Sequence, residues 1–341
     1  MTEPETVIVG VDVGSTTTSG GLVTADGTVL WTLETRTHRN GPGSAFDVLQ
    51  GLVADLLAQA RSRGWAVQGV GIGLPGIVDI EGGTMRKGIH RVPELAGPPI
   101  LERIHADAGV PVFIDNDVNA LGLGEWIWGA GRGAGSMAML ALGTGVGGCV
   151  ILDGRLVRGR SGFGGEFGHV SVNFDGRLCV CGIRGCLSAY AAGVGIGREF
   201  YARIHGEAAA QAAEAKDDPA LSDAEAVFRA ADAGSAEATA VVREACKVVG
   251  AAIGGLANGL NPEVIVITGG IVKSLARSED RILEHARAYG FPASLADARI
   301  HFVPGYKTQT VRGGAALVLY ERARRAAAER GSDHAQVSCR T

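Results

Sequence analysis

One pattern occurs twice in this chain of 341 residues and limits what the chain can fold into. Val7 to Asp12 is a short β-branched run. It breaks at Gly14-Ser15-Thr16-Thr17-Thr18, resumes from Gly20 to Val23, turns at Asp26-Gly27 and returns from Val29 to Arg36. Further on, Met137 to Leu142 is apolar, Gly143-Thr144-Gly145-Val146-Gly147-Gly148 is the loop, Cys149 to Leu152 resumes, and Asp153-Gly154 turns. Apolar runs this short read as buried strands, and Asp-Gly between two strand-like runs is a hairpin signal. The shared order of strand, Gly/Thr loop, strand and turn points to an internal duplication, one copy per domain. Chance similarity of two hairpins is the plain alternative, and an order shared over three elements weighs against it.

The length allows two ordinary domains and a sizeable core. The rest of the chain alternates helix and strand patterns, so the fold class is α/β. Phe46 to Arg63 carries Phe46, Leu49, Leu52, Val53, Leu56 and Leu57 at helical spacing. Val67 to Leu74 is a strand ending in Leu74-Pro75-Gly76, and Val110 to Ile114 is another that ends on Asp115-Asn116-Asp117. Asn119 to Trp126 reads as a helix, as do Ala224 to Ala233 and Ala236 to Asn258. The last of these has Val241, Ala245, Val248, Val249, Ala252 and Leu256 on one face. Val264 to Thr268 is a buried strand closed by Gly269-Gly270. The expected division is a small α/β domain over 1–115, a large one over 116–313, and a helix over about 314–327 that returns to the small domain. Residues 328–341 form a polar tail expected to be disordered.

A net charge of −4 gives no electrostatic reason to expect nucleic acid or an anionic membrane. The acidic start leads straight into the first strand, which argues against a secretory signal. No apolar run is long enough to span a bilayer. Six cysteines in this length are no disulfide scaffold. The expectation is a soluble cytoplasmic protein. The 53 glycines cluster between apolar runs, where backbone must turn tightly or approach a ligand.

Three groups of residues carry chemistry. Successive backbone N–H groups in the two Gly/Thr loops can form nests for phosphate oxygens, with threonine hydroxyls adding donors. Neither loop is a Walker sequence or fits the dinucleotide fingerprint. Either loop alone would be an ordinary hairpin; together, and with Gly269-Gly270, they favour nucleotide phosphates. Asp12, at a strand end, would face a Mg²⁺ ion or its waters. Asn116-Asp117 places a carboxylate where it could accept a proton from an attacking hydroxyl; a helix N-cap is the alternative reading. Finally, Gly164-Gly165-Glu166-Phe167-Gly168-His169 is followed by Cys179, Cys181 and Cys186. One imidazole and three thiolates make a closed structural zinc set. Buried cysteines beside a core histidine are the alternative, set against three cysteines within eight residues.

These motifs together resemble a bacterial sugar kinase of the ROK family (repressors, open reading frames and kinases), within the actin-like ATPase superfamily with its two-domain, ribonuclease H-like fold. The matching runs are Asp12 to Thr16, Gly73 to Gly76, Asn116-Asp117, Gly143 to Gly148, Gly165 to His169, the cysteine cluster, and Asn261-Pro262-Glu263 leading to Gly269-Gly270. The resemblance implies phosphoryl transfer from MgATP to a sugar hydroxyl, usually the primary one. Asp117 would be the general base. Gly76, Asn116, Glu166, His169 and the position of Ser188 would meet the sugar. Gly14, Ser15, Thr16, Thr17, Gly143, Thr144, Gly145 and Gly147 would hold phosphates, and Gly269 and Gly270 the adenosine. His169 would join zinc to substrate through its two ring nitrogens, and domain closure would exclude water. Family members are commonly dimers or tetramers.

Two departures stand out. A common lysine is replaced by Thr17, and a glutamate two residues after the last cysteine is replaced by Ser188. A serine cannot accept the same paired hydroxyl bonds, so the expected substrate is altered near its anomeric region: an aminosugar or a C7 cyclitol of secondary metabolism, with plain glucose as the alternative. A non-catalytic sugar sensor or regulator is the reading from another class. The short stretch before Val7 and the retained Asp117 argue against it.

Overall fold

In the computed structural model, residues 6–86, 92–216, 218–306 and 308–335 are described. The chain divides into two compact units, Met1–Arg132 with Lys307–Thr341, and Gly133–Tyr306.

The first unit is built on a five-stranded sheet. Its strands are β1 (Thr6–Val13), β2 (Thr17–Thr24), β3 (Val29–Arg36), β4 (Ala66–Leu74) and, beyond the small hairpin of β5 (Val78–Asp79) and β6 (Thr84–Met85), β7 (Val112–Asn116). The order across the sheet is β3-β2-β1-β4-β7. The first three strands are antiparallel neighbours, while β1, β4 and β7 run parallel. Three helices belong to the unit's first stretch: α1 (Ala45–Ser62), α2 (Ile100–Ala108) and α3 (Asp117–Trp128). The stripe read from the sequence of α1 is buried, with Leu49 and Leu56 fully covered against Val9, Val11 and Leu22.

The second unit repeats the plan. Strands β8 (Met137–Leu142), β9 (Val146–Leu152), β10 (Arg155–Leu156), β11 (Val264–Gly269) and β12 (Arg299–Pro304) lie in the order β10-β9-β8-β11-β12. Again three antiparallel strands precede two parallel additions. The duplication expected from two hairpins therefore extends to whole sheets. At the turn after β9, Asp153 and Gly154 both have positive φ, 50° and 71°. That is the backbone a two-residue hairpin requires. The helices are α4 (Ser188–Ala191), α5 (Gly193–His205), α6 (Glu207–Glu214), α7 (Ala224–Asp232), α8 (Ala236–Leu260), α9 (Val272–Leu275), α10 (Glu279–Tyr289) and α11 (Pro292–Asp297). Alternate residues of the strands, Leu140 and Leu142 with Ile265 and Ile267, share a core with Val241, Val249, Ile253 and Leu256 of α8.

The chain then returns to the first unit as α12 (Gln309–Ala335). Adjacent glycines of β2 fix the layering, because successive residues point to opposite faces. A Cβ on Gly20 would meet Leu52 and Leu56 of α1, whereas one on Gly21 would meet Val311 of α12. The two helices cover opposite faces of the sheet. At Gly314 the contact of α12 is backbone to backbone: a Cβ there would lie 2.6 Å from Val11 N and 2.7 Å from Gly71 O.

Three sequence expectations change. The unit boundary falls after Arg132, so α3, expected in the large domain, lies in the first unit, where Gly124 approaches Gly313 of α12. The C-terminal helix starts at Gln309 and continues to Ala335, so 328–335 are helical where a disordered tail was expected. Residues 336–341 of that tail lie outside the described residues. Among the described residues no helix is long and apolar enough to cross a membrane.

Candidate functional site

The candidate carboxylates and sugar-facing residues of the first unit lie at or just beyond the carboxyl ends of parallel strands. Asp12 is near the end of β1, Gly76 follows β4, and Asn116-Asp117 joins β7 to α3. Crevices at such strand ends are where α/β sheets bind ligands. Asn116 is the N-cap of α3: its Oδ1 accepts from Val118 N at 2.9 Å and Asn119 N at 3.1 Å. Its Nδ2 donates to Gly76 O at 3.2 Å. The capping alternative therefore holds for Asn116, and the cap ties it to Gly76. Asp117 opens the helix and accepts from Val118 N at 2.9 Å. It is half-buried in the first turn of the helix. Asp115, buried, holds the junction by accepting from Asn116 N and Asn119 Nδ2.

Burial pushes the Asp12 carboxyl up from 3.8 to about 6, and a hydroxyl bond from Thr310 opposes the rise. Sequence reasoning missed Thr310, which lies 298 residues along the chain at the start of α12. It also missed Thr37, whose hydroxyl donates to Gly14 O at 2.6 Å and pairs with Thr18 at 3.0 Å. Its signal was faint, a threonine directly after the second hairpin strand. In the loop itself Gly14 N donates to Thr17 O at 2.9 Å. Gly14 is thus engaged inside the turn, and Thr17 already belongs to β2. Ser15 and Thr16 are left to present backbone N–H groups.

The second unit's loop is alike. Gly143 N donates to Gly145 O at 2.9 Å, and Gly143 O accepts from Gly193 N at 2.8 Å, which anchors the start of α5. The loop is shorter than the sequence suggested, because Val146 already pairs with Leu142. Gly147 is consequently a strand residue opposite Ala141. Thr144 and Gly145 form the exposed bend. At the end of β11, Gly269 has φ 108°, and a Cβ there would land on the Leu142 carbonyl. Only glycine fits both the conformation and the contact. Gly270 faces open space.

Glu166 to His169 form one tight turn, closed by His169 N to Glu166 O at 3.0 Å. In a 3₁₀ turn, side chains three apart eclipse, so carboxylate and imidazole share a side. Burial pushes the Glu166 carboxyl up, and the charge of His169 pulls it partly back. The Nδ1 of His169 lies 3.8 Å from Cys179 Sγ, and the sulfurs of Cys181 and Cys186 are 3.6 Å apart. All four donor atoms lie within 4.8 Å of one another. Zn–S bonds of about 2.3 Å in a tetrahedron require donor separations of about 3.8 Å, and a disulfide requires about 2 Å. The set fits a metal. Its chemistry agrees: burial, followed by the neighbouring thiols, pushes Cys186 up to about 12, and a divalent cation reverses that cost. Ser188 is buried, with Oγ 3.3 Å from Val146 N and 3.4 Å from Val146 O. Its hydroxyl is held by the backbone of β9 and adds no charge to the wall beside His169.

A family model described as the ROK family matches residues 8–317. The chain is 34% identical over 319 residues to a glucokinase of Thermotoga maritima, covering 92% of this chain and 98% of that protein. It is 33% identical over 313 residues to a glucokinase of Halalkalibacterium halodurans, covering 91% and 94%. A crystal structure of a ROK family glucokinase from Streptomyces griseus, in complex with glucose and AMPPNP, superimposes with a TM-score of 0.70 at 30% identity, covering 91% of this chain and 98% of that one.

Proposed function

The chain belongs to the ROK family and is a phosphotransferase with an alcohol group as acceptor, an ATP-dependent sugar kinase; we propose that Asp117 is its general base and that its acceptor is altered near the anomeric carbon. The observation that carries the first part is the strand–helix junction. Asn116 caps α3 and binds Gly76, so the carboxylate that follows is fixed at a strand end. Such a group accepts the proton as a hydroxyl oxygen attacks the γ-phosphoryl. Asn116 has one amide hydrogen left for a sugar hydroxyl, and Glu166 and His169 offer an acceptor and a ring nitrogen from one turn.

Ser15, Thr16, Thr144 and Gly145 are the backbone donors for phosphate oxygens, and Gly269 and Gly270 the surface for the adenosine. Asp12 would hold Mg²⁺, which when bound neutralises charge on the transferring phosphoryl group. His169, Cys179, Cys181 and Cys186 would hold zinc, whose part is structural, fixing the imidazole's orientation.

The altered acceptor rests on Ser188. A site that bonds a hydroxyl through a carboxylate discriminates by several orders of magnitude, and here a short hydroxyl tied to Val146 replaces it. The expected substrates are aminosugars or C7 cyclitols. The alternative, a plain glucokinase, is favoured by the activity named for the similar proteins. ADP release on a panel of hexoses, aminosugars and cyclitols decides. Glucose turned over with micromolar KM while the others stay inert overturns the altered acceptor. Sugar-dependent turnover retained in Asp117→Asn overturns the base assignment.

A further inference from the structure

Behind the Glu166–His169 turn, within the second unit, lies a cavity of 540 Å³. Its wall is largely apolar: Leu140, Phe167, Leu187, Tyr190, Val248 and Leu256. Glu244 and Lys247 also line a second, open cleft of 550 Å³, so the two adjoin at these side chains. That cleft is cationic. Arg243 and Lys247, one turn apart on α8, share it with Arg281 and His285, one turn apart on α10, and with Arg203 of α5. The carboxylates nearby are already matched: Glu244 sits 2.7 Å from Arg177, and Glu199 2.7 Å from Arg203. Arg243, Lys247 and Arg281 form no ion pair among the described residues, in a chain whose net charge is negative.

An apolar chamber that borders clustered guanidinium groups matches one ligand chemistry, an apolar body carrying a phosphate, since arginine favours phosphate geometry. The chamber is also the reverse side of the sugar-facing segment. Phe167 follows Glu166, Val170 follows His169, and Leu187 lies between Cys186 and Ser188. We propose that the adjoining cavities are a regulatory site for an amphipathic phosphate monoester, whose binding shifts the Glu166–His169 turn and so changes sugar affinity. Binding stands without the kinase reading; its effect on the sugar rests on it.

The test uses octyl phosphate on the full chain, with MgADP present to fill the nucleotide site, against octanol and inorganic phosphate. Gly255→Leu adds bulk at the chamber's exposed lining, where a Cβ meets nothing within 4 Å; it keeps or raises Tm and confirms folding. By calorimetry, octyl phosphate binds more tightly than either fragment. Binding weakens about tenfold in Arg243→Ala/Lys247→Ala, as for lost charged hydrogen bonds, and disappears in Gly255→Leu. The KM for the accepted sugar changes with octyl phosphate in the wild type and not in Gly255→Leu; an unchanged wild-type KM overturns the regulatory role while calorimetry still decides binding. Octanol binding as tightly as octyl phosphate, or equal binding by all three proteins, overturns the site. So does a wild type that ignores octyl phosphate but dissociates from dimer to monomer on Gly255→Leu, which makes the chamber a contact between copies.

Discussion

Asp12 combines a strand-end position with a carboxyl that resists ionisation. Its pKa rises from 3.8 to about 6 on folding, so the folded state holds the proton more tightly than the unfolded one. The associated stability is fully present below about pH 4 and is lost as pH rises through about 6, by at most about 3 kcal/mol. Asp12→Asn keeps an acceptor for Thr310 and removes the charge. The ligand-free variant should match the wild type in Tm near pH 4, exceed it at pH 8, and lack MgATP-dependent turnover. Equal Tm values at pH 8 would dispose of the idea that this carboxylate is strained until a cation arrives. At Asp117, replacement by asparagine should lower kcat about 10²- to 10⁴-fold with circular dichroism unchanged, since Asn116 supplies the cap. Both carboxylates were legible because each ends an apolar run. Thr310 was not, since only the return of the chain brings it to Asp12. Gly14 and Gly143 were legible as turn glycines, whereas Gly147 was read into the loop and lies in the strand, because strand register, which decides the N–H groups left open, is not carried by composition.

The segment from Gly164 to Cys186 has little regular structure, held by bridges such as Ser171 with Cys186 and Leu178 with Arg184. Backbone bonds such as Val172 N to Gly185 O and Cys179 N to Ile183 O close its turns, and the four candidate metal donors would add a further tie between them. Purified protein should contain one zinc per chain, and Cys181→Ser should lose about tenfold or more in metal affinity while raising sugar KM more than ATP KM. A metal-free wild type of full activity would refute the zinc assignment. Gly269→Ala tests the junction after β11. A φ of 108° alone costs about 1–3 kcal/mol for a residue with a side chain, and the Leu142 carbonyl adds to it, so chemical denaturation should show at least that loss. Elements with a turn signal, such as the Asp-Gly hairpins, could be read ahead of the structure. The parallel strand β12 could not: its residues are only partly buried and its pairing partner lies 35 residues upstream.

At the scale of the molecule, the duplicated sheet order was foreshadowed by repeated hairpins, whereas the boundary was not. Sequence places a break where a strand ends on Asp115-Asn116-Asp117, but packing of α3 against the glycines of α12 carries the first unit on to Arg132. The same glycines give a prediction. Gly314→Ala forces a methyl group between Val11 and Gly71 and should cost about 1–3 kcal/mol, as overpacking does, with hydrogen exchange rising in β1 and β4 before β8 and β11. Equal loss of protection in both sheets would contradict two separately packed cores.

The division also orders the chain's synthesis in time. One core uses an uninterrupted stretch, 133–306, while the other waits for α12, which is made after that stretch. Domains fold as units during translation, at about 5–20 residues per second. The second unit can therefore mature first, while β1 and β4 keep their glycine-rich α12-facing side uncovered until α12 has been made. Chaperone crosslinks on stalled nascent chains should accordingly map to residues 6–74 and disappear once α12 clears the ribosome.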